Sequence, residues 1–153
     1  MNPKEMNPQD TITSRKPVRT RIVVIGAGFG GIGLGIKLKA AGLDDFVILE
    51  KSDSVGGVWR ENRYPGAACD VPSHLYSFSF EPRADWPRKF ADQADILDYL
   101  IHCTRKYGLA PHIRFGAEVT EARWDETSNW SSGTRPKRIW RWRPLPFWLE
   151  TNS

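Results

Sequence analysis

A chain of 153 residues that is 40% hydrophobic and 26% charged has the length and composition of one globular domain. It contains no apolar run near the ~20 residues that a membrane-spanning helix needs, and its first residues lack the apolar segment of a secretory signal. Cys69 and Cys103 provide neither a disulfide framework nor a metal site. His74, His102 and His112 lack metal-ligand spacing, so no metal is predicted. A reducing, cytoplasmic setting is expected.

The net charge of +4 is unevenly distributed along the chain. Residues 1–130 balance 17 Lys and Arg with 17 Asp and Glu, whereas residues 131–153 carry five basic residues and one acidic residue. An interpretation as a nucleic-acid-binding protein would depend on that last segment alone. No nucleic-acid partner is therefore predicted.

The first predicted elements in chain order form a compact β–α–β unit. Residues 1–19 are polar and have no hydrophobic period, which predicts a disordered leader. The β-branched run Arg21–Ile25 predicts a buried strand, and Gly30–Ala41 predicts a helix that stops at Gly42. Asp45–Glu50 predicts a second buried strand. Two strands joined by a helix within about 30 residues are typical of a parallel sheet.

The next predicted elements are a long loop, an amphipathic helix and two short strands. The segment Lys51–Ser79 is irregular, and a loop of that length in a compact domain is usually functional. A helix is predicted between Asp92 as N-cap and Gly108 as C-cap. Its apolar face consists of Ile96, Leu97, Leu100, Ile101 and Tyr107. Short strands are predicted at His112–Phe115 and Glu118–Trp124.

The regular pattern ends near residue 129. Beyond it, tryptophans stand among arginines and prolines without the period of a helix or a strand. The predicted division is a leader (1–19), a partial domain (20–129) and an aberrant basic Trp/Arg/Pro tail (130–153) that is expected to be disordered. A shifted reading frame in a GC-rich gene would give such a tail on a truncated product. A selected basic-aromatic segment that binds membrane or nucleic acid is the alternative.

A G-x-G-x-x-G motif follows the first predicted strand and opens the predicted helix. Gly26 permits the tight turn, Gly28 lets a pyrophosphate approach the backbone, and Gly31 lets the helix pack closely on the strand. The free N–H groups and the dipole at the start of the helix favour phosphate. The motif therefore predicts a dinucleotide site.

Glu50 is the predicted partner of this loop. It ends the second strand, 19 residues beyond Gly31, where a carboxylate can accept hydrogen bonds from the ribose hydroxyls of an adenosine. A 2′-phosphate would meet like charge there, which favours FAD or NAD(H) over NADP(H). The alternative is a glycine-rich turn beside a merely solvated Glu50. Gly33 and Gly35, inside the helix, indicate either close packing on the sheet or tolerated substitutions.

The loop after the second strand carries further motifs. In order, they are Gly56-Gly57-Val58-Trp59, Asn62-Arg63-Tyr64-Pro65-Gly66, Cys69-Asp70, and a run from Pro72 to Phe78. With them, residues 21–124 resemble the flavin-dependent monooxygenases that include the Baeyer–Villiger enzymes. The resemblance implies the α/β class and the N-terminal, incomplete portion of a Rossmann-like FAD/NAD(P)-binding domain. It also implies an FAD- and NADPH-dependent oxidoreductase that acts on ketones or soft heteroatoms.

The resemblance implies how the cofactor is held. The glycine loop binds the FAD pyrophosphate, and Glu50 holds the adenosine ribose. Trp59 and the residue before it lie along the flavin, Tyr76 contacts the same region, and the backbone of Val119 meets the adenine. Asp70 orients an arginine from a later part of the chain and supports the flavin site without being catalytic. The implied cofactor-binding residues are Gly26, Ala27, Gly28, Phe29, Gly30, Gly31, Glu50, Lys51, Gly57, Val58, Trp59, Asp70, Tyr76 and Val119.

The chemistry of these side chains agrees in part with that implication. Trp59 and Tyr76 can supply flat apolar surface to a ring system, although Trp59 would serve equally as a core aromatic. Asp70 would be poorly solvated in an aromatic-rich loop unless a cation pairs with it, and a turn or cap role is the alternative. Cys69 and Cys103 are expected to be buried and inert.

Other parts of the family pattern are missing from this sequence. It has a single G-x-G-x-x-G motif, so the NADPH site of the family has no counterpart, and neither has the arginine near the flavin. Three functions stay open: a monooxygenase, a non-catalytic fragment that keeps FAD affinity at most, and an NAD-binding module of another oxidoreductase. No catalytic residue is assigned within the chain, and whether it is an enzyme by itself stays open.

Overall fold

A computed structural model of the protein describes residues 19–125 and 129–136, with side chains up to residue 123. The predicted leader, except for Arg19, and residues 137–153 of the predicted tail lie outside this part. The strands and helices are β1 (Ile22–Ile25), α1 (Phe29–Ala40), β2 (Phe46–Leu49), α2 (Val58–Glu61), α3 (Gln93–Lys106), β3 (Ile113–Arg114), β4 (Ala117–Asp125) and β5 (Asn129–Pro136). Two 3₁₀ helices cover Ser73–Leu75 and Ala110–His112.

Strands β1, β2 and β3 form a parallel sheet in that order. Ile22 lies opposite Phe46 and Ile25 lies opposite Leu49, whereas Ile48 pairs with Ile113. The predicted β–α–β unit and the Rossmann-like α/β class are confirmed. The carboxyl ends of β1 and β2 meet at one edge of the sheet, which is where ligands bind in folds of this class.

Strand β1 is an edge strand in the described part of the chain. Its Val23 and Ile25 are 41% and 64% exposed. Strands of parallel sheets are normally buried on both faces. The sheet is therefore uncovered at β1, and the prediction of a buried strand holds within β1 only for Val24, which is 6% exposed.

Helix α1 packs closely on the sheet and on the loop that precedes α3. Its own residues Ile32 and Ile36 are buried, at 0% and 3% exposure. A Cβ on Gly35 would lie 2.9 Å from Ile48 Cδ1, and one on Gly33 would lie 2.8 Å from a ring carbon of Phe78. Of the two interpretations of these glycines, the structure therefore supports close packing, on the sheet for Gly35 and on the loop for Gly33.

Helix α3 buries a face that differs in part from the predicted one. Asp92 caps the helix as predicted, because its carboxylate accepts a hydrogen bond from the Asp95 N–H at 3.2 Å. The residues that α3 buries are Ile96, Tyr99, Leu100, Cys103 and Thr104. The predicted Leu97, Ile101 and Tyr107 are only partly buried, because the stripe continues from Ile96 at positions i+3 and i+7.

Both cysteines lie in the core, as predicted. Cys69 is 5% exposed and Cys103 is 0% exposed, and burial raises the pKa of the Cys103 thiol. Among residues 19–123, no group of three or more His, Cys, Asp or Glu side chains could hold a metal ion. None of the helices in the described ranges is long and apolar enough to cross a membrane.

A hairpin of β4 and β5 follows the parallel sheet. The two strands are antiparallel, with Trp124 opposite Trp130 and Ala117 opposite Pro136. Residues 130–136, which the sequence assigned to the predicted tail, belong to β5 in the structure. Backbone hydrogen bonds from β4 stabilise β5 although its own sequence lacks a clear strand period.

Glu81 anchors the loop that precedes α3 to the end of that helix. Its side chain is 13% exposed, and the carboxylate accepts hydrogen bonds from Lys106 Nζ at 2.8 Å and from the Tyr107 hydroxyl at 2.7 Å. His102 Nε2 lies 3.3 Å from the same carboxylate. The hydrogen bonds from Lys106 and Tyr107 lower the pKa of Glu81 to about 2.

We expect the Glu81 anchor to contribute to acid sensitivity. The pKa of Glu81 is 4.5 without these partners, so its charge stabilises the folded state above that pH, and the contribution is lost as the pH falls towards 2. Urea denaturation of Glu81→Gln should show reduced stability near neutral pH and a shallower decline than wild type below about pH 4.5. The exposed Glu121→Gln is the control and should follow wild type. Parallel curves for Glu81→Gln and wild type would contradict the expectation.

Candidate dinucleotide-binding site

The glycine loop connects β1 to α1 at the carboxyl edge of the sheet. Gly26 has a φ of 88°, and its N–H donates to the Leu49 carbonyl at 2.8 Å. Helix α1 begins at Phe29, and Gly28 at its N-cap has no side chain that could bond the first turn. The N–H groups of that turn are therefore available to a ligand, and the helix dipole favours an anion there.

Gly31 is the position at which helix and loop approach most closely. A Cβ on Gly31 would overlap the carbonyl oxygen of Gly26, and Val24 Cγ1 would lie 3.5 Å from it. By contrast, a Cβ on the adjacent Gly30 would meet nothing within 4 Å. The motif therefore needs glycine at its third position for packing, as the sequence predicts.

Glu50 is held at the end of β2 by two backbone N–H groups. It is 4% exposed, and its carboxylate accepts hydrogen bonds from Ala27 N–H at 2.6 Å and from Ser52 N–H at 2.8 Å. An ionised carboxylate offers about four acceptor sites, so others remain for a ligand hydroxyl. The merely solvated Glu50 of the alternative interpretation is thus not what the structure shows. The side chain also fixes the glycine loop through Ala27.

A second glycine turn lies directly against the first. The Gly56 N–H donates to the Ala27 carbonyl at 2.9 Å. A Cβ on Gly57 would lie 3.0 Å from Gly28 Cα, and Gly57 has a φ of 55° that L side chains rarely adopt. This backbone contact holds the start of α2, with Val58 exposed to solvent, beside the glycine loop.

Aromatic side chains lie next to the two turns. The Trp59 indole N–H donates to the Tyr76 hydroxyl at 3.1 Å, with ring centroids 5.6 Å apart. The Phe29 ring meets Tyr76 edge-on at 5.0 Å. Three predicted site residues from three separate segments are therefore brought together.

Asp70 differs from its expected environment. It is exposed, whereas Ala67 and Cys69 before it are buried at 7% and 5% exposure. The chain alternates in this stretch, so Asp70 faces outward and is solvated rather than buried among aromatic rings. No Lys or Arg among residues 19–123 forms an ion pair with it.

Two further predicted residues lie near the end of β2. Lys51 is exposed and forms an ion pair with Glu61 at 2.8 Å. Val119 is in β4, whose first residue is tied to β2 because the Ala117 N–H donates to the Glu50 carbonyl at 2.8 Å. The hairpin is thus attached beside the predicted ribose site.

Comparisons with known proteins agree with this geometry. The family model of an NAD(P)-binding Rossmann-like domain matches residues 24–94. A Baeyer–Villiger monooxygenase of Streptomyces coelicolor is 54% identical over 115 residues, which are 74% of this chain and 22% of that protein. The closed crystal structure of cyclohexanone monooxygenase matches with a TM-score of 0.73 at 41% identity, over 78% of this chain and 23% of that one. The chain is thus similar to one part of the flavin monooxygenases of the Baeyer–Villiger type.

The monooxygenase resemblance predicted from the motifs is thereby confirmed. OTEMO, in a crystal structure with FAD and NADP, matches with a TM-score of 0.72 at 31% identity, over 81% of this chain and 24% of that one. The chain spans less than a quarter of the length of these flavin monooxygenases.

Sequence reasoning about this site missed two aromatic residues. Phe78 and Tyr99 pack on Phe29 with ring centroids 5.2 and 6.0 Å away. The alternation Tyr76, Phe78, Phe80 in the sequence was a signal for Phe78, since residues two apart share a face in an extended chain. Tyr99 had no such signal beyond its place three residues after Ile96 on the α3 stripe.

Proposed function

We propose that this chain binds FAD and forms the cofactor-binding part of an NADPH- and O2-dependent monooxygenase of ketones or soft heteroatoms. The observation that carries the proposal is the backbone contact between the two glycine turns, with Glu50 on one side and Trp59 on the other. A flavin dinucleotide needs a cradle for its pyrophosphate, an acceptor for its ribose and a flat apolar surface for its ring system. In this chain, the glycine turns, Glu50 and the Trp59–Tyr76 pair would serve these three purposes.

The residues present fit FAD. A Cβ on Gly57 would lie 3.0 Å from Gly28 Cα, so glycine at this position lets the second turn meet the first beside the start of α1, where a pyrophosphate would lie. The N–H groups after Gly28 would hold the phosphates, the free acceptor sites of Glu50 the ribose hydroxyls, and Trp59 and Tyr76 the flavin region. Bound FAD would supply the redox chemistry, and the residues of this chain would bind it and orient it.

Smaller roles belong to the same proposal. Lys51 and Val119, beside the end of β2, would line the adenosine end of the cofactor. The exposed Asp70 is open to a cation from another part of a monooxygenase. Its role would be to orient that cation at the flavin, without taking part in the chemistry.

A second candidate function is FAD binding without catalysis. The single G-x-G-x-x-G motif in the sequence favours it, since NADPH needs a site of its own. An NAD-binding module of another oxidoreductase fits less well, because NAD has no flavin ring for the Trp59–Tyr76 surface.

Titration of the purified chain with FAD and, in parallel, with NAD⁺ distinguishes these functions. We expect one FAD per chain, detected by quenching of flavin fluorescence, and no binding of NAD⁺. Oxidation of NADPH in the presence of a ketone would identify an active monooxygenase, whereas FAD binding without it would identify the non-catalytic fragment. Binding of NAD⁺ without FAD would overturn the proposal.

A further inference from the structure

We propose that Tyr99 is the positioning residue for the Trp59–Tyr76 pair, because its hydroxyl closes the turn that links Tyr76 to helix α3. Tyr99 lies on α3 and is 1% exposed, so it contacts no solvent-borne ligand itself. The inference rests on the proposed function only where it concerns the flavin.

The first step is the hydrogen bonding of the Tyr99 hydroxyl. It accepts a hydrogen bond from the Phe78 N–H at 2.8 Å and donates one to the Glu81 carbonyl at 2.7 Å. Phe78 and Glu81 also form an isolated antiparallel bridge, so the hydroxyl closes a tight turn from the side of the helix. Burial raises the pKa of Tyr99, which keeps the hydroxyl protonated and able to donate.

The second step is that this turn is held between two helices. On the α3 side, the Glu81 carboxylate accepts hydrogen bonds from Lys106 and Tyr107. On the α1 side, the Phe78 ring lies against Gly33, where there is no room for a Cβ. Contacts on both sides therefore fix the position of the turn relative to α1, the helix that follows the glycine loop.

The third step links the turn to the site. Tyr76 precedes Phe78 by two residues, and its hydroxyl accepts the hydrogen bond from the Trp59 indole. The carbonyl of Trp59 in turn accepts a hydrogen bond from Gln93 in the first turn of α3. Helix α3 thus holds Trp59 directly through Gln93 and indirectly through Tyr99 and the turn.

Loss of the Tyr99 hydroxyl would affect this turn more than loss of the Tyr107 hydroxyl would. Its removal would leave the Phe78 N–H and the Glu81 carbonyl without their protein partner, and unpaired buried polar groups are costly. Movement of the turn towards water would relieve that cost and would carry Tyr76 away from Trp59. The Glu81 carboxylate, by contrast, keeps Lys106 and His102 if Tyr107 loses its hydroxyl.

Tyr99→Phe and Tyr107→Phe therefore form a matched pair that removes one hydroxyl each. Hydrogen exchange of the Trp59 indole N–H, followed by ¹⁵N NMR, reports on the bond to Tyr76 without any cofactor. The Ile48 amide in the central strand serves as the reference for global unfolding. We expect Tyr99→Phe to speed indole exchange about tenfold relative to Ile48, and Tyr107→Phe to change that ratio less than about twofold.

An equal acceleration at Trp59 and Ile48 in Tyr99→Phe would overturn the inference, since it would reveal a purely structural role. Equal effects of Tyr99→Phe and Tyr107→Phe on the ratio of Trp59 exchange to Ile48 exchange would also overturn the inference. FAD titration of the same proteins adds a second readout: Tyr99→Phe should weaken FAD binding more than Tyr107→Phe. If wild type binds no FAD, the proposed function fails. The exchange ratio still tests whether Tyr99 positions the Trp59–Tyr76 pair.

Discussion

Gly31→Ala should abolish FAD binding and destabilise the fold by more than about 3 kcal/mol. The new Cβ would overlap the Gly26 carbonyl, a backbone atom that cannot turn away as a flexible side chain could. Helix α1 would have to move away from β1, and the phosphate-binding N–H groups would move with it. Alanine gains about 1 kcal/mol of helix propensity over glycine, which is too little to offset the overlap. Urea denaturation and FAD titration measure the two effects.

Gly30→Ala is the matched control for this substitution. It makes the same chemical change one residue earlier in the same helical turn, but its Cβ would meet nothing within 4 Å. We expect it to keep the fold and to raise the free energy of unfolding by about 0.5–1 kcal/mol through lower backbone entropy in the unfolded state. Equal loss of stability in the two variants would show that contact with Gly26 is not the reason for the third glycine.

Glu50→Gln should lower the free energy of unfolding by about 2–4 kcal/mol and weaken FAD binding at least tenfold. The carboxylate accepts hydrogen bonds from Ala27 and Ser52 with different oxygens, and an amide can replace only one of them. The NH₂ group of the glutamine would face a backbone N–H at a position where Glu50 is only 4% exposed. Thermal or urea denaturation gives the stability, and the FAD titration gives the affinity.

Glu61→Gln separates the loss of a charge from the loss of these hydrogen bonds. Glu61 pairs with Lys51, and both side chains are largely exposed, at 42% and 57%. Exposed ion pairs contribute about 0–1 kcal/mol, so this variant should resemble wild type in both measurements. If Glu50→Gln were no worse than Glu61→Gln, the buried carboxylate would have no role in holding the glycine loop.

The parts of the fold that sequence predicted well depend on short-range patterns. The β-branched runs, the glycines between them and the acid after the second strand lie within 30 residues, and their spacing alone fixes a β–α–β unit. The Asp92 cap is equally local, since it needs only a residue three positions ahead. The family motifs extended the same prediction to Gly57, Trp59 and Tyr76.

The parts that sequence missed depend on contacts between distant segments. Strand β5 has a weak pattern of its own and is stabilised by pairing with β4. Asp70 was expected among aromatic rings, but the alternation of its loop turns it towards solvent. The place of Tyr99 depends on a turn 18 residues earlier in the chain, and no local period contains that information.

The order of the strands also bears on how the chain folds. Strand β2 lies in the middle of the parallel sheet, with Val24 of β1 on one side of Ile48 and Ile113 of β3 on the other. The first pairing needs only a short helical crossover, whereas the second must close a loop of more than 60 residues that contains both the second glycine turn and α3. Because loop closure slows with sequence separation, the β1–β2 unit can form early and β3 must join late. During synthesis, the half of the site built on Gly26 and Glu50 can take shape before α3, which fixes the aromatic half, has left the ribosome.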